Sequence, residues 1–318
     1  MQILIKKNEA LSVRRFLDMG RASLQLALVA GESGLDTHAI TDNAVNRPGL
    51  ALTGYFKRFA SKRVQYLGFC ELSYLLDLDP EAQLHAIDGI DEVGIPCFVV
   101  TDRIPIPNAV VAHCNQRSLP LLSTHLTSAE FVERATIALD EYFAPNTVLS
   151  GTLVEVNGIG VLIQGLPAVN KSVSTIVLIE HGHTLIADEV VCVSRSHDGL
   201  LIGSGKDLAR GFMEFRGIGL LKVSEHFGAH AVRAKGPVDL IVRFLDVLPN
   251  AEKTGLEAPS EDTLLDCTLP LIQLPVCSGN DACRLVEIAA TLHLLRKRGH
   301  NPAEELAQRL LQQMETSA

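Results

Sequence analysis

The segment from Gly165 to Ser172 has nearly the spacing of a phosphate-binding loop. It reads G-L-P-A-V-N-K-S, which fits G-x-x-x-x-G-K-[ST] except that Asn170 stands where the last glycine belongs. In such a loop, successive backbone N–H groups hold phosphate oxygens, the lysine neutralises the outer phosphates and the hydroxyl reaches Mg²⁺. Gly165, Ala168, Asn170, Lys171 and Ser172 are therefore the candidate nucleotide-binding residues.

Two residues of this loop are expected to weaken its binding of phosphate. Asn170 tolerates the left-handed backbone that the missing glycine would adopt, but its side chain crowds the phosphates. Pro167 has no backbone N–H to donate. The alternative interpretation is an ordinary strand–turn–helix in which Lys171 is merely solvated.

A carboxylate follows at a position where ligand-contacting residues gather. Thr184 to Ala187 is predicted to be a strand, and Asp188 comes directly after it, seventeen residues beyond Lys171. In open α/β sheets, ligands bind beyond the carboxyl ends of the strands. Asp188 is therefore a candidate base toward a hydroxyl or a candidate metal ligand, and the alternative is a solvated acid at a strand end.

Residue types that bind zinc are scattered along the chain. Seven cysteines occur without a C-x-x-C pair, which predicts reduced thiols that pack as small apolar groups. His181 and His183 flank a glycine, but no second pair follows at zinc-finger spacing. We therefore expect these two histidines to be structural or solvated.

Alternating strands and helices are predicted before Pro145. Pro96 to Thr101 and Leu119 to Thr124 are apolar segments bounded by turn residues, which is typical of buried strands. A helix is predicted to begin at Ser128 as its N-cap and to run through Tyr142. The turn at Ala144-Pro145-Asn146 then predicts two domains, residues 1–145 and 146–318.

The second domain shows hairpin and helix signals. Asn157-Gly158 separates two strand-like runs and is the strongest hairpin signal in the chain. Near the C-terminus a helix is predicted to end at Gly299, and a last helix to begin at Asn301-Pro302. In the first of these helices, one face is predicted to carry the apolar residues Leu285, Ile288, Ala289, Leu292 and Leu295.

Composition excludes several classes of function. The formal net charge of −9 and the pI near 5.7 argue against nucleic-acid binding, which needs a basic face. No apolar run reaches the ~18–20 residues that cross a bilayer, and the N-terminus lacks the order of regions found in secretory signals. We expect a cytoplasmic globular protein.

Several further segments resemble the HPr kinase/phosphorylase family. Gly158 to Val191 is similar to its nucleotide-binding core. Met213 to Leu220, followed by Phe227-Gly228-Ala229, resembles the family signature E-x-R-G-x-G with F-G-A shortly after. Other matching segments are Arg47 to Leu50, Leu52 to Phe56, Leu269 to Val276 and Val286 to Ala290.

This resemblance implies an α/β protein with an N-terminal α/β domain and a C-terminal P-loop kinase domain of the HPr kinase type, similar to phosphoenolpyruvate carboxykinase. It implies a cytoplasmic homo-oligomer, usually a hexamer. Such enzymes use ATP or pyrophosphate with Mg²⁺ to phosphorylate a serine of HPr, the phosphocarrier of the sugar phosphotransferase system. They also catalyse the reverse, phosphorolytic reaction.

The resemblance also assigns roles residue by residue. Lys171 would hold the phosphates, and Asp188 and Arg216 would be catalytic, with Asp188 as the acid and base. Ser172, Glu189 and Glu214 would bind Mg²⁺.

The chain departs from the family pattern within these same segments. The family has glycines in place of Ala168 and Asn170, and a glutamate in place of Val173. Ser150 stands where the family has a histidine, and Glu189 where it has an aspartate.

A late loop also differs. The family has arginines where this chain has Cys277 and Asn280, and a cation beside a transferring phosphoryl group stabilises the transition state by several kcal/mol. Three hypotheses follow: an active kinase/phosphorylase with weakened nucleotide affinity, a non-catalytic regulatory relative that keeps the fold, or phosphotransfer to an acceptor other than HPr.

Overall fold

The structure, a computed structural model, describes residues 5–165, 171–215, 218–245, 260–275 and 279–316. The chain divides into two compact units, Lys7–Ala144 and a second unit that begins at Pro145. Lys6 belongs to the second unit because it exchanges two backbone hydrogen bonds with Asn146, at 2.7 and 2.8 Å. Within the described ranges, no helix combines the length and the apolar character needed to cross a membrane.

The first unit alternates strands and helices. Its helices are α1 (Val13–Ser23), α2 (Phe69–Asp77), α3 (Pro80–Glu92), α4 (Asn108–Arg117) and α5 (Ser128–Phe143). Its strands are β1 (Leu11–Ser12), β2 (Ala27–Ala30), β3 (Ala39–Ile40), β4 (Val45–Asn46), β5 (Val64–Leu67), β6 (Phe98–Val100) and β7 (Leu121–Ser123).

Helices cover both faces of the main sheet of this unit. The strand order is β2–β7–β6–β5–β4, with only the β2–β7 pair antiparallel. Val99 packs in the core that contains α1 and α5 residues, whereas Phe98 and Val100 pack in the core that contains α2, α3 and α4 residues. A strand covered on both faces is apolar throughout. The predicted strands within 96–101 and 119–124 are therefore confirmed.

The predicted N-cap of α5 is wrong by one residue. Thr127 is the N-cap, and its side chain and that of Glu130 form a capping box. The hydroxyl of Ser128 instead donates to Asp102 at 2.6 Å, because Asp102 lies beside the start of the helix. Threonine and serine are both good N-caps, so local sequence alone did not separate them.

The second unit contains four helices and twelve strands among the described residues. The helices are α6 (Lys171–Glu180), α7 (Val223–Phe227), α8 (Gly279–Lys297) and α9 (Pro302–Thr316). The strands are β8 (Asn146–Ser150), β9 (Thr152–Val156), β10 (Ile159–Gly165), β11 (Thr184–Ala187), β12 (Val190–Arg195), β13 (Leu201–Ser204), β14 (Phe212–Phe215), β15 (Gly219–Lys222), β16 (Lys235–Pro237), β17 (Leu240–Leu245), β18 (Ser260–Leu264) and β19 (Cys267–Pro275).

Three layers build this unit. A six-stranded sheet has the order β11–β9–β10–β17–β19–β18, in which β10, β17 and β19 are parallel. One face packs on α6 and α8 through residues such as Val161, Val242 and Leu178. The other face packs on a second sheet, β16–β13–β12–β8, through residues such as Leu162 and Val191.

The hairpin predicted at Asn157-Gly158 is confirmed. Strands β9 and β10 pair antiparallel, with Val156 opposite Ile159. Asn157 has φ 52° and Gly158 has φ 82°, and these two positive values are typical of the type I′ turn that suits a two-residue hairpin.

The predicted end of α8 and the predicted start of α9 are confirmed, but the apolar face predicted for α8 is not its most buried face. Gly299 follows α8 with φ 84°, and the Asn301 side chain accepts from the Ala303 N–H at 3.3 Å at the start of α9. On α8, Ile288 is 55% exposed. The buried residues of α8 are Ala282, Cys283, Val286, Ala289, Ala290 and His293, of which only Ala289 belongs to the predicted face. Small residues allow close packing against α6, and the larger leucines mark only the edge of the contact.

Gly160 yields a test of how the sheet is packed. A Cβ at this position would overlap the carbonyl oxygen of Pro237. We expect Gly160→Ala to lower the free energy of unfolding by about 3 kcal/mol, since backbone must move to make room. Urea denaturation of the full chain measures the loss. Gly205→Ala is the control, because its Cβ would meet only ordinary contacts of 3.5 Å, and equal stability of the two variants would contradict the packing.

Candidate active site

One edge of the six-stranded sheet gathers the residues singled out from the sequence. Strands β10 and β11 both pair antiparallel with β9, so their carboxyl ends lie at the same edge. β10 ends at Gly165, and α6 begins at Lys171. β11 ends at Ala187, directly before Asp188, and β9 starts at this edge with Thr152. A strand that ends at Gly165, a helix that begins at Lys171 and the strand-end carboxylate are thus all present.

Asp188 is held by one of its two carboxylate oxygens. Its Oδ1 accepts a hydrogen bond from the Thr152 hydroxyl at 2.7 Å, and Thr152 is buried. Its Oδ2 is also buried but accepts no hydrogen bond from any residue that the structure describes. Burial raises the pKa of Asp188, and the Thr152 hydrogen bond, the backbone N–H of Glu189 and the charge of Lys171 oppose that rise. A buried carboxylate oxygen without a donor is costly, so the site is suited to a proton, a hydroxyl or a cation.

A strained turn fixes the direction of this carboxylate. Glu189 has φ 60°, in the left-handed region that non-glycine residues rarely adopt. The Val190 N–H donates to the Asp188 carbonyl at 2.7 Å, and the Gly151 N–H donates to the Glu189 carbonyl at 3.2 Å. The turn leads from β11 into β12 of the other sheet. The Glu189 side chain is exposed, and its negative charge further raises the pKa of Asp188.

Lys171 and Ser172 occupy the first turn of α6. The Lys171 ammonium donates to the Gly165 carbonyl at 3.0 Å and so spans the two ends of the candidate phosphate-binding loop. The backbone N–H groups of a first helical turn lack partners within the helix, and the positive end of the helix dipole favours anions there. Lys171 and the half-buried Ser172 therefore lie where a phosphate group is favoured.

Three of the predicted site residues lie outside the described residues, and a fourth lies in a separate sheet. Ala168, Asn170 and Arg216 lie outside the described residues. Glu214 lies on β14, in a separate two-stranded sheet with β15, and its side chain is exposed. No hydrogen bond between described residues joins Glu214 to Lys171, Ser172 or Asp188. The metal-binding role of Glu214 stays a prediction.

The sequence analysis missed Thr152 and Arg243. A cavity of about 490 Å³ opens beside Gly165, and Ser150, Gln164, Arg243 and Asp262 are among its lining residues. The Arg243 guanidinium donates to Gln164 at 3.0 Å and to Asp262 at 2.7 Å. Arg243 stands within the otherwise apolar strand β17. Its cation lies at the same sheet edge as the candidate phosphate-binding loop.

Comparison with known proteins places both units in one family. Residues 11–139 match the HPr Serine kinase N terminus, and residues 141–310 match the HPr Serine kinase C-terminal domain. A protein named HPr kinase/phosphorylase from Geobacter sulfurreducens is 35% identical over 307 residues, which are 96% of each chain. Another of that name from Leptospira biflexa is 37% identical over 291 residues, 90% of each chain.

A solved structure is similar over about half of the chain. It is described as the Hpr(Ser) kinase/phosphatase from Coxiella burnetii and is 27% identical, with a TM-score of 0.44 over 48% of this chain and 93% of that one. The sequence matches along both units, together with identity above one third over nearly the full length, establish the relationship. The chain belongs to the HPr serine kinase family.

The raised pKa of Asp188 gives a prediction about stability. A raised folded-state pKa means that the folded protein binds the proton more tightly than the unfolded chain. Stability should therefore fall as the pH rises from the ordinary Asp pKa through the raised one. We expect Asp188→Asn to lack this fall and to be more stable than the wild type at neutral pH. Thermal unfolding across pH measures it.

The exposed Asp198 supplies the control for this measurement. Asp198→Asn should reproduce the wild-type dependence of stability on pH. If Asp188→Asn destabilises the protein at neutral pH, the carboxylate has a stabilising partner, and the description of Oδ2 as unpaired is wrong.

Proposed function

We propose that this protein phosphorylates a serine of HPr with ATP or pyrophosphate and removes the phosphate by phosphorolysis. The names of the Geobacter and Leptospira relatives, at 35% and 37% identity over at least nine tenths of both chains, support this activity. The observation that carries the assignment is Asp188. Its buried Oδ2 has no described donor and lies at the sheet edge that also holds Lys171.

Asp188 acts as both base and acid. As the base, Oδ2 takes the proton of the serine hydroxyl while the serine oxygen forms a bond to the outer phosphorus of the donor. The bond from that phosphorus to the bridging oxygen breaks, and ADP leaves when the donor is ATP, or phosphate when it is pyrophosphate. In the reverse direction, the protonated carboxyl returns a proton to the serine oxygen while inorganic phosphate attacks the phosphoserine and pyrophosphate forms. A raised pKa suits this exchange, because the group must hold and release a proton near neutral pH.

Thr152 and Lys171 position these reactants. The Thr152 hydroxyl occupies Oδ1 and so leaves Oδ2 for the serine. Lys171, at the start of α6, holds the outer phosphates against the positive end of the helix. Effective alignment of acceptor and phosphate supplies much of the acceleration of such transfers.

The residues present fit a Mg²⁺ ion. Ser172 and Glu189 offer oxygen donors, and oxygen is the donor that Mg²⁺ selects. When bound, the ion neutralises charge on the phosphates. Glu214 and Arg216 of the family signature complete the proposed site. From the same resemblance, we propose a cytoplasmic homohexamer.

Phosphotransfer in the Asp188→Asn variant tests the proposal. We expect transfer of labelled phosphate from ATP to HPr to fall at least ~100-fold, the usual contribution of a general base, while the affinity for MgATP stays nearly unchanged. The control Asp198→Asn should keep the wild-type rate. Full activity of Asp188→Asn would remove Asp188 from the mechanism, and an absence of transfer by the wild type to HPr would refute the proposed acceptor.

The sequence of the loops favours a second candidate, a regulatory relative that has lost catalysis. Ala168 and Asn170 replace two glycines of the family, and Cys277 and Asn280 replace two arginines. These changes remove phosphate-binding capacity while the strands and helices around the site persist. Such a protein would keep a surface for HPr and bind nucleotide weakly.

Repair of the loop distinguishes the two candidates. We expect Ala168→Gly with Asn170→Gly to tighten MgATP binding by about tenfold or more, because recovered N–H contacts are worth about 1–3 kcal/mol and tenfold corresponds to ~1.4 kcal/mol. Isothermal titration calorimetry measures the change. Ala209→Gly, an exposed position, is the control for added flexibility. Tight MgATP binding by the wild type, unchanged on repair, would contradict the weakened-loop interpretation.

A further inference from the structure

The two histidines at 181 and 183 lie at the end of α6, away from its first turn. Gly182 has φ 91°, which reverses the chain after the helix. The His181 N–H donates to the Val177 carbonyl at 3.0 Å, and the His183 N–H donates to the Leu178 carbonyl at 3.1 Å. The helix end thus fixes the backbone of both histidines.

Helix α8 brings two further donors to the same place. Cys283 and Glu287 are four residues apart, so they lie on one face of the helix. Glu287 Oε1 is 2.8 Å from His181 Nδ1 and 3.0 Å from His183 Nε2. Cys283 Sγ is 3.8 Å from the same His181 nitrogen. One thiol, one carboxylate and one imidazole therefore converge with all their donor atoms within 4.8 Å of one another.

These separations suit a small metal ion. Zinc bonds of about 2.0–2.3 Å in tetrahedral geometry place neighbouring ligand atoms roughly 3.3–3.7 Å apart. The carboxylate and imidazole need to separate by only a few tenths of an ångström to admit the ion. Cys283 is fully buried, whereas 46% of the His181 side chain is exposed, so an ion can reach the cluster from solvent.

We propose that His181, Cys283 and Glu287 form a site for Zn²⁺ or a similar transition-metal ion. His183 is 10% exposed and donates its Nε2–H to Glu287, which orients the carboxylate as a partner outside the metal's own ligand set. Three protein ligands leave a fourth position for water. The site is separate from the proposed Mg²⁺ site, which offers oxygen donors alone.

The chemistry of the donors selects the ion. Thiolate and imidazole prefer zinc and related transition metals, and Mg²⁺ prefers oxygen. Burial, with a smaller contribution from the Glu287 charge, raises the pKa of Cys283 to about 11, so the ion must displace the thiol proton when it binds. The bound ion would connect the end of α6 to α8.

A second group of possible metal ligands is less suited to a transition-metal ion. Asp88, Asp91 and His113 lie together in the first unit. There the Arg117 guanidinium already donates to Asp91 at 2.9 Å and supplies positive charge. In the cluster on α6 and α8, no described lysine or arginine donates to the carboxylate. The Glu287 carboxylate instead contacts the imidazoles of His181 and His183.

Metal titration of the tag-free full chain tests the proposal. Co²⁺ alone serves as the first probe, because a cobalt–thiolate bond gives a near-ultraviolet charge-transfer absorption. We expect one equivalent of Co²⁺ to give this absorption, Zn²⁺ to abolish it by displacement, and Mg²⁺ to leave it unchanged. Cys283→Ser should lack the band. His181→Ala should weaken Zn²⁺ binding at least about tenfold in a chelator competition.

Matched variants make the outcome decisive. Cys277→Ser removes another thiol and His300→Ala another exposed imidazole, and both should bind Co²⁺ and Zn²⁺ like the wild type. Circular dichroism verifies that each variant is folded, and the exposed His181 keeps the test valid if Cys283→Ser misfolds. A band that disappears in Cys277→Ser, or Zn²⁺ binding that His181→Ala leaves unchanged, overturns the proposal.

Discussion

Strand β10 is enclosed on every side, and the second unit is organised around that constraint. It pairs with β9 along one edge and with β17 along the other. Val161 and Ile163 pack toward α6 and α8, while Leu162 packs toward the second sheet. Gly160 admits the Pro237 carbonyl where any side chain would block it. Because this strand cannot shift, its end at Gly165 gives the candidate phosphate-binding loop a fixed origin.

At its carboxyl end, the same sheet holds Asp188, a carboxylate whose burial is unfavourable. Asp188 accepts a hydrogen bond from the Thr152 hydroxyl through Oδ1, and its Oδ2 is buried without a described donor. A carboxylate in that setting raises the free energy of the folded state, and protonation or a ligand relieves the cost. The neighbouring Glu189 adds a left-handed backbone to this cost. Unfavourable local features, such as this buried carboxylate and this left-handed residue, are common at functional sites. They persist only where the surrounding structure is rigid enough to hold them.

Sequence reasoning succeeded where the signal was local. The Asn157-Gly158 hairpin, the strand before Asp188 and the start of α9 each depend on a few adjacent residues, and all three are found. It failed where a distant residue decides the outcome. The Ser128 hydroxyl donates a hydrogen bond to Asp102, and Thr127 is therefore the N-cap of α5.

Long-range assembly explains the parts of the site that were not foreseen. Thr152 reaches Asp188 only through the pairing of β9 with β11, and Arg243 reaches the sheet edge only through the register of β17 with β10. Likewise, Cys283 and Glu287 meet His181 across about one hundred residues of sequence, so no spacing rule could join them. The buried face of α8 is likewise set by its packing against distant residues, and of the apolar face seen in the sequence only Ala289 lies in it.

The position of the packing contacts along α6 has a consequence for how this protein can change over evolution. Its apolar anchors, Leu178 and Ile179, lie about two turns beyond Lys171, in the half of the helix remote from residues 166–170. Amide protons of β10 and of this half of α6 should accordingly exchange slowly whatever residues occupy 166–170, since the core contacts that protect them come from other residues. Selection for folding therefore does not protect the chemistry of the loop. A lineage can alter or abandon nucleotide binding while the protein continues to accumulate in the cell.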